Sequence, residues 1–172
     1  MVNCQLLMNS KNGAIATMFV HLHTHSHFSF CRGANSIEDL CAAVKKRGMD
    51  TLALTDTNGL YGLIWFLQIS KELGIKPIIG AEVISNNLRV ILLVKDRTGY
   101  RNLCRILSQR HLDKNFSLLD VLLRYSAGLF MITDSTPLLN SLQMKVAPES
   151  LFVELQPNPR RLGLLQFARS AG

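Results

Sequence analysis

Short apolar runs alternate with stretches of helical periodicity along this 172-residue chain. The runs are MFVHLHTH (18–25), TLALTD (51–56), PIIGAEV (77–83), LRVILLVK (88–95), GLFMIT (128–133) and SLFVEL (150–155). Their length and β-branched content predict strands. Between them, SIEDLCAAVKKRG (36–48) opens on Ser36 as N-cap and closes on Gly48 as a C-terminal stop. GLYGLIWFLQISKELG (59–74) carries Leu60, Leu63, Ile64 and Leu67 at helical spacing. Segments 99–112, 117–128 and 159–172 continue the helical theme. The connection from 83 to 88 is too short for a helix and predicts a hairpin or tight corner.

Strands followed by amphipathic helices predict an α/β protein with a largely parallel sheet, open or closed into a barrel. Neither GxGxxG nor GxxxxGK[ST] occurs, so no phosphate loop supports a dinucleotide-binding or P-loop reading. Residues 1–18 are weakly patterned and read as a leader segment. No repeat or linker divides 19–172, which reads as one domain.

Composition narrows the classes. No stretch approaches the roughly 18 continuous apolar residues of a membrane span. The first residues are too short in apolar length for a secretory signal, and a cytoplasmic protein is expected. Cys4, Cys31, Cys41 and Cys104 are scattered without CxxC pairing, as in a reducing compartment. The net charge of +7 is compatible with a polyanionic partner. The basic residues are nevertheless dispersed, with Lys45, Lys46 and Arg47 in one place and Arg101, Arg105 and Arg110 in another.

Candidate chemistry concentrates in HLHTHSHF (21–28), which holds four of the five histidines at alternate positions. On a strand, His21, His23, His25 and His27 would share one face and bring several nitrogen donors to a common point, as a zinc-like ion requires. Asp56 and Glu82 lie at or near the ends of the second and third runs, where α/β folds gather functional groups. Asp134, followed by Ser135, Thr136 and Pro137, is expected to cap a helix.

FVHLHTHSHFSFCRGA, LALTDTNGLYG and ELGIKPIIGAEV together resemble the N-terminal PHP (polymerase and histidinol phosphatase) domain of bacterial C-family DNA polymerases. KDRTGYRNLCRILSQRHL, GLFMIT and SLFVELQ extend the resemblance from about residue 19 to the end. It implies the N-terminal part of a distorted (β/α)7 barrel, truncated before its last strands, with a metal site at the C-terminal strand ends. By motif, His23, His25, Glu82 of Gly80-Ala81-Glu82, Asp56 and His111 match the family's metal positions. Thr57 stands where relatives usually have a histidine and Arg32 where they often have an acid, while Arg89 stands near a family histidine and Ser135 where cysteine is common. The family's closing Asp-x-His motif is expected beyond Gly172. A full multi-metal phosphoesterase site is therefore not expected.

The resemblance implies a parent of the DNA polymerase III alpha or error-prone type, a DNA-directed DNA polymerase using magnesium at a site outside this chain. DNA would be the partner of that parent, with other replication proteins as further partners and no membrane. For this chain the expectation is a structural role with a partly degenerate site for zinc, manganese or iron. Whether it is itself an enzyme is left open, and no catalytic residue is assigned. An active metal-dependent phosphoesterase and a non-catalytic docking module are the alternatives. Unpaired strand edges also predict self-association.

Overall fold

The computed structural model describes residues 19–155 and 161–171. The leader segment 1–18 lies outside the described residues. Helix α1 (Ile37–Lys46) starts where the Ser36 side chain accepts the Asp39 N–H. β1 (Thr51–Leu54) leads to α2 (Leu63–Leu73), which ends on Gly74 in the left-handed region at φ 64°. Next come β2 (Lys76–Ser85), β3 (Leu88–Val94), α3 (Arg97–Leu112), α4 (Leu118–Tyr125) and β4 (Leu129–Thr133). α5 (Thr136–Leu142), a 3-10 turn, β5 (Leu151–Val153) and α6 (Arg161–Ala171) complete the order.

The five strands form one sheet in chain order, β1-β2-β3-β4-β5. β1/β2 and β4/β5 are parallel, whereas β2/β3 and β3/β4 are antiparallel. The sheet is thus mixed, not largely parallel, and the connections explain why. A single helix returns the chain in its original direction, as α2 and α5 do. The predicted corner is a tight turn at Asn86-Asn87 that reverses it, with Asn86 at φ 53°, a conformation asparagine tolerates. Two successive helices, α3 and α4, reverse it again before β4. The opening run contributes less strand than its pattern predicts. It makes one bridge, His21 to Leu52, and the backbone bonds Ala53 N–H to His21 and Thr55 N–H to Thr24.

Alternation along the strands builds two different faces. Ala81, Val83, Val90, Leu92 and Met131 face α3 and α4 and pack with Leu103, Ile106 and Leu122. Leu22, Ala53, Ile91, Leu93 and Ile132 pack together on the opposite side. α1 and α2 cover β1 through Ile37, Cys41, Leu52, Leu54 and Phe66. Glu82 falls between Ala81 and Val83, so the period of two turns its carboxylate to the second face. α3 is held close by Gly99, where an added Cβ would sit 1.8 Å from the Gly128 carbonyl oxygen.

Candidate metal centre

Two local structures position the site. The extended backbone of 21–25 sends Leu22 into the apolar floor and places the His23 and His25 rings side by side, 4.7 Å apart between centroids. After His25 the chain turns, and Asp56, at the end of β1, pins that turn. Its carboxylate accepts the Ser26 N–H at 2.8 Å, the Ser26 hydroxyl at 2.7 Å and the Ser29 hydroxyl at 2.6 Å. Ser29 Oγ also lies 3.1 Å from His25 Nδ1 and accepts the Thr57 N–H at 3.0 Å. Asp56 therefore reaches the histidines through serine.

Fully buried Glu82 is the centre of the cluster. Its Oε1 lies 3.5 Å from His23 Nε2 and 3.3 Å from Arg89 Nη1. Its Oε2 accepts Arg32 Nη1 at 2.8 Å and Thr57 Oγ1 at 3.0 Å, with His25 Nε2 at 3.6 Å. On the far side of His23, Nδ1 lies 3.5 Å from Glu154 Oε1. Arg89 joins Glu82 to Glu154 and, at 3.0 Å, to Asp134 Oδ1.

The electrostatics follow from this crowding. Burial alone would raise the Glu82 carboxyl, but His23, His25 and Arg32 outweigh it and hold the group at about 2. Burial pulls His23 down, yet the flanking Glu154 and Glu82 carboxylates prevail and leave it above the ordinary histidine value. His25 is lowered, by burial first and then by His23 and Arg32, against the pull of Glu82. The two neighbouring imidazoles are thereby pushed apart in their affinity for a proton.

Of the five residues matched to metal positions, the structure brings together three. One ligand atom each from His23, His25 and Glu82 lies within 4.8 Å of the others. Asp56 lies behind them, holding the turn. His111, exposed at the end of α3, donates from Nε2 to the Asn58 carbonyl oxygen at 2.6 Å. His21 packs its ring against Phe19, and His27 lies exposed against Phe28. Asp134 does not cap α5: Ser135 takes that position, and the Asp134 carboxylate turns to Arg89, a stronger partner than a helix N–H. Glu154 is the residue the sequence reading passed over. It stands just beyond β5, and an acid at a strand end was the signal available.

One divalent ion suits the donor set of His23, His25 and Glu82. Both buried His23 nitrogens lack a hydrogen bond of normal geometry, and each faces a carboxylate oxygen at 3.5 Å. A cluster of two or three ions does not suit it. Arg32, Arg89 and Thr57 already occupy the Glu82 carboxylate, and the two guanidinium charges repel further cations.

Comparison with known proteins agrees with this architecture. Residues 21–156 match the PHP domain family, and the chain is a member of it. The error-prone DNA polymerase of Symbiobacterium thermophilum is 44% identical over 95 residues, covering 55% of this chain and 9% of that protein. The DNA polymerase III subunit alpha of Borreliella burgdorferi is 36% identical over 130 residues, covering 64% and 11%. The chain thus spans about a tenth of the length of these relatives. Among solved structures, a protein from Bifidobacterium adolescentis described as a metal-dependent phosphoesterase superposes with a TM-score of 0.56. It is 13% identical, with 88% of this chain and 82% of that one covered. A two-domain Bacteroides vulgatus protein containing a predicted PHP-like metal-dependent phosphoesterase gives 0.50 at 17% identity, with 87% and 41% covered. At such identities the likeness is one of fold.

Proposed function

We propose that this chain is the PHP domain, over 19–172, of a DNA polymerase III alpha-type protein, and that its own role is structural. The parent would carry out DNA-directed DNA synthesis with magnesium, on residues outside this chain. Relatives at 36–44% identity over the matched region support that parentage. The observation that carries the structural role is the double arginine clamp on Glu82, in which Arg32 and Arg89 neutralise the central carboxylate. The charge a metal cluster would supply is already present in the protein. What remains is at most one position for zinc, manganese or iron on His23, His25 and Glu82. An ion bound there would supply a water of lowered pKa, and the three side chains would orient it. Asp56 and His111 belong to the support of the site, through Ser29 and Asn58. β5 pairs with β4 alone among the described residues, and its other edge supports self-association.

The test is metal content by elemental analysis of untagged protein, beside a His23→Ala/His25→Ala variant. No more than one ion per chain, absent from the variant, is the expected result. Two or more ions per chain, lost in the variant, would overturn the structural reading and justify assays on phosphate esters. Light scattering over a concentration series checks self-association, and a constant monomeric mass would refute it.

A further inference from the structure

The strongest unassigned feature lies on α3, away from the histidines. This helix of 16 residues carries Arg97, Arg101, Arg105 and Arg110 and no acid. Arg97, Arg101 and Arg105 recur every fourth residue, so they form one stripe, about 6 Å apart along the axis. All three are exposed, and none makes an ion pair with a described residue. Arg105 stacks over the Tyr125 ring at 5.7 Å, which orders the side chain without neutralising it. Like charges at this spacing repel one another, and an unrelieved stripe of them costs helix stability. Arg110, by contrast, turns away and donates to the Ile84 carbonyl oxygen.

The stripe borders a shallow, largely apolar groove of about 910 Å³ whose lining includes Ile79, Val94 and Tyr100. Tyr100 is 40% exposed there. Asp96, the acid in the lining, accepts the Gly99 N–H as the helix cap. Cations in a row beside an aromatic face and an apolar floor are what a single nucleic-acid strand requires. The phosphates lie along the charges, at a spacing comparable to one helical turn, and a base lies on the ring. An acidic protein segment would satisfy the arginines and leave the apolar floor and Tyr100 unused.

We infer that the Arg97-Arg101-Arg105 stripe and the Tyr100 groove form a binding site for single-stranded nucleic acid. The site shares no residue with the His23-His25-Glu82 cluster, so its failure and that of the proposed structural role are separate results. The experiment is fluorescence anisotropy of a labelled 20-mer of thymidine with the intact chain, across a salt series. Arg101→Ala/Arg105→Ala should weaken binding by roughly tenfold or more and reduce the log–log salt slope by about 1.4, two phosphates' worth. Tyr100→Ala should weaken it by about fivefold or more and leave the slope unchanged. Lys71→Ala/Lys145→Ala, an equal loss of charge elsewhere, should leave affinity within about twofold. Absence of binding at low salt, or equal losses in the two double variants, overturns the proposal. So does binding of a labelled glutamate polymer, but not the oligonucleotide, to the stripe.

Discussion

Arg89 and Glu154 are joined across 65 residues of sequence, the guanidinium reaching from β3 over the end of β4 to the strand beyond. Asp134, at the end of β4, meets the same guanidinium, and the Thr133 hydroxyl donates to the Arg89 carbonyl oxygen at 2.6 Å. One side chain therefore ties together the ends of three neighbouring strands. Its charge offsets Glu82, Glu154 and Asp134, two of which are buried. A buried ion pair adds little when whole, because desolvation offsets attraction, but breaking one leaves uncompensated charge.

Arg89→Met should accordingly cost about 3–5 kcal/mol of folding stability, since it keeps the aliphatic packing and removes only the charge and its hydrogen bonds. Arg89→Lys should fall between, keeping a point charge but losing the fork that serves three carboxylates. Urea midpoints at neutral pH measure both. A loss below about 1 kcal/mol for the methionine variant would mean that solvent already neutralises the acids.

The pH dependence follows from Glu82 and His23. Glu82 titrates lower in the folded chain than in the unfolded one. Its contribution is therefore present above the ordinary carboxylate value of 4.5 and is lost as pH falls toward about 2. The full effect is of order 3 kcal/mol. His23 has the opposite sense. Its folded value is raised, so its contribution is complete below 6.5 and is lost as pH rises through the higher folded value. His25, lowered in the folded chain, opposes His23 around 6.5, so the clear limb in urea unfolding should be the acid one, a fall in stability below about 4.5. Glu82→Gln should flatten the acid limb, and an unchanged limb in that variant would assign it to other carboxylates.

Asp56 has a role that sequence position alone left between turn residue and ligand. Asp56→Ala strands a backbone N–H and two hydroxyls in a buried turn. The loss should be about 3 kcal/mol or more, at about 1–3 kcal/mol for each unsatisfied group. Because Ser29 also contacts His25, the variant should shift the His25 ring resonances in an NMR spectrum. A stable variant with an unmoved His25 would show that the turn holds without its carboxylate.

Local patterns made much of this legible. Ser36 and Gly48 bracket α1, the helical spacing in 63–73 is α2, and alternation alone brings His23 and His25 to one side. Glu82 was readable because it interrupts an apolar strand, where an unpartnered carboxylate is costly. What pattern could not supply was partnership at long range. Arg89 looks like a solvated residue on an apolar strand until β4 and β5 place Asp134 and Glu154 beside it. Strand direction was hidden for a similar reason, since it depends on whether one or two helices return the chain. The in-phase histidines also separate in space. The chain turns after His25, sending His27 outward, because Ser26 and Ser29 are drawn to Asp56.

Arg32 and Thr57 are the two residues that most directly tie up one oxygen of the central carboxylate, because both donate to Glu82 Oε2. Arg32→Asp/Thr57→His would change the local charge by −2 and replace two donors to the carboxylate with two ligands. Glu82 Oε2 would then be released toward His25 Nε2, which already lies 3.6 Å away. Metal content in the double variant should rise above that of the natural chain, and zinc titration should show a midpoint at far lower concentration. Addition of His23→Ala should abolish the gain, because that residue supplies the nitrogen facing Glu82 Oε1. A folded double variant with no gain in metal would assign the exclusion of further ions to Arg89, the remaining guanidinium on the same carboxylate, and Arg89→His would be the next replacement to measure.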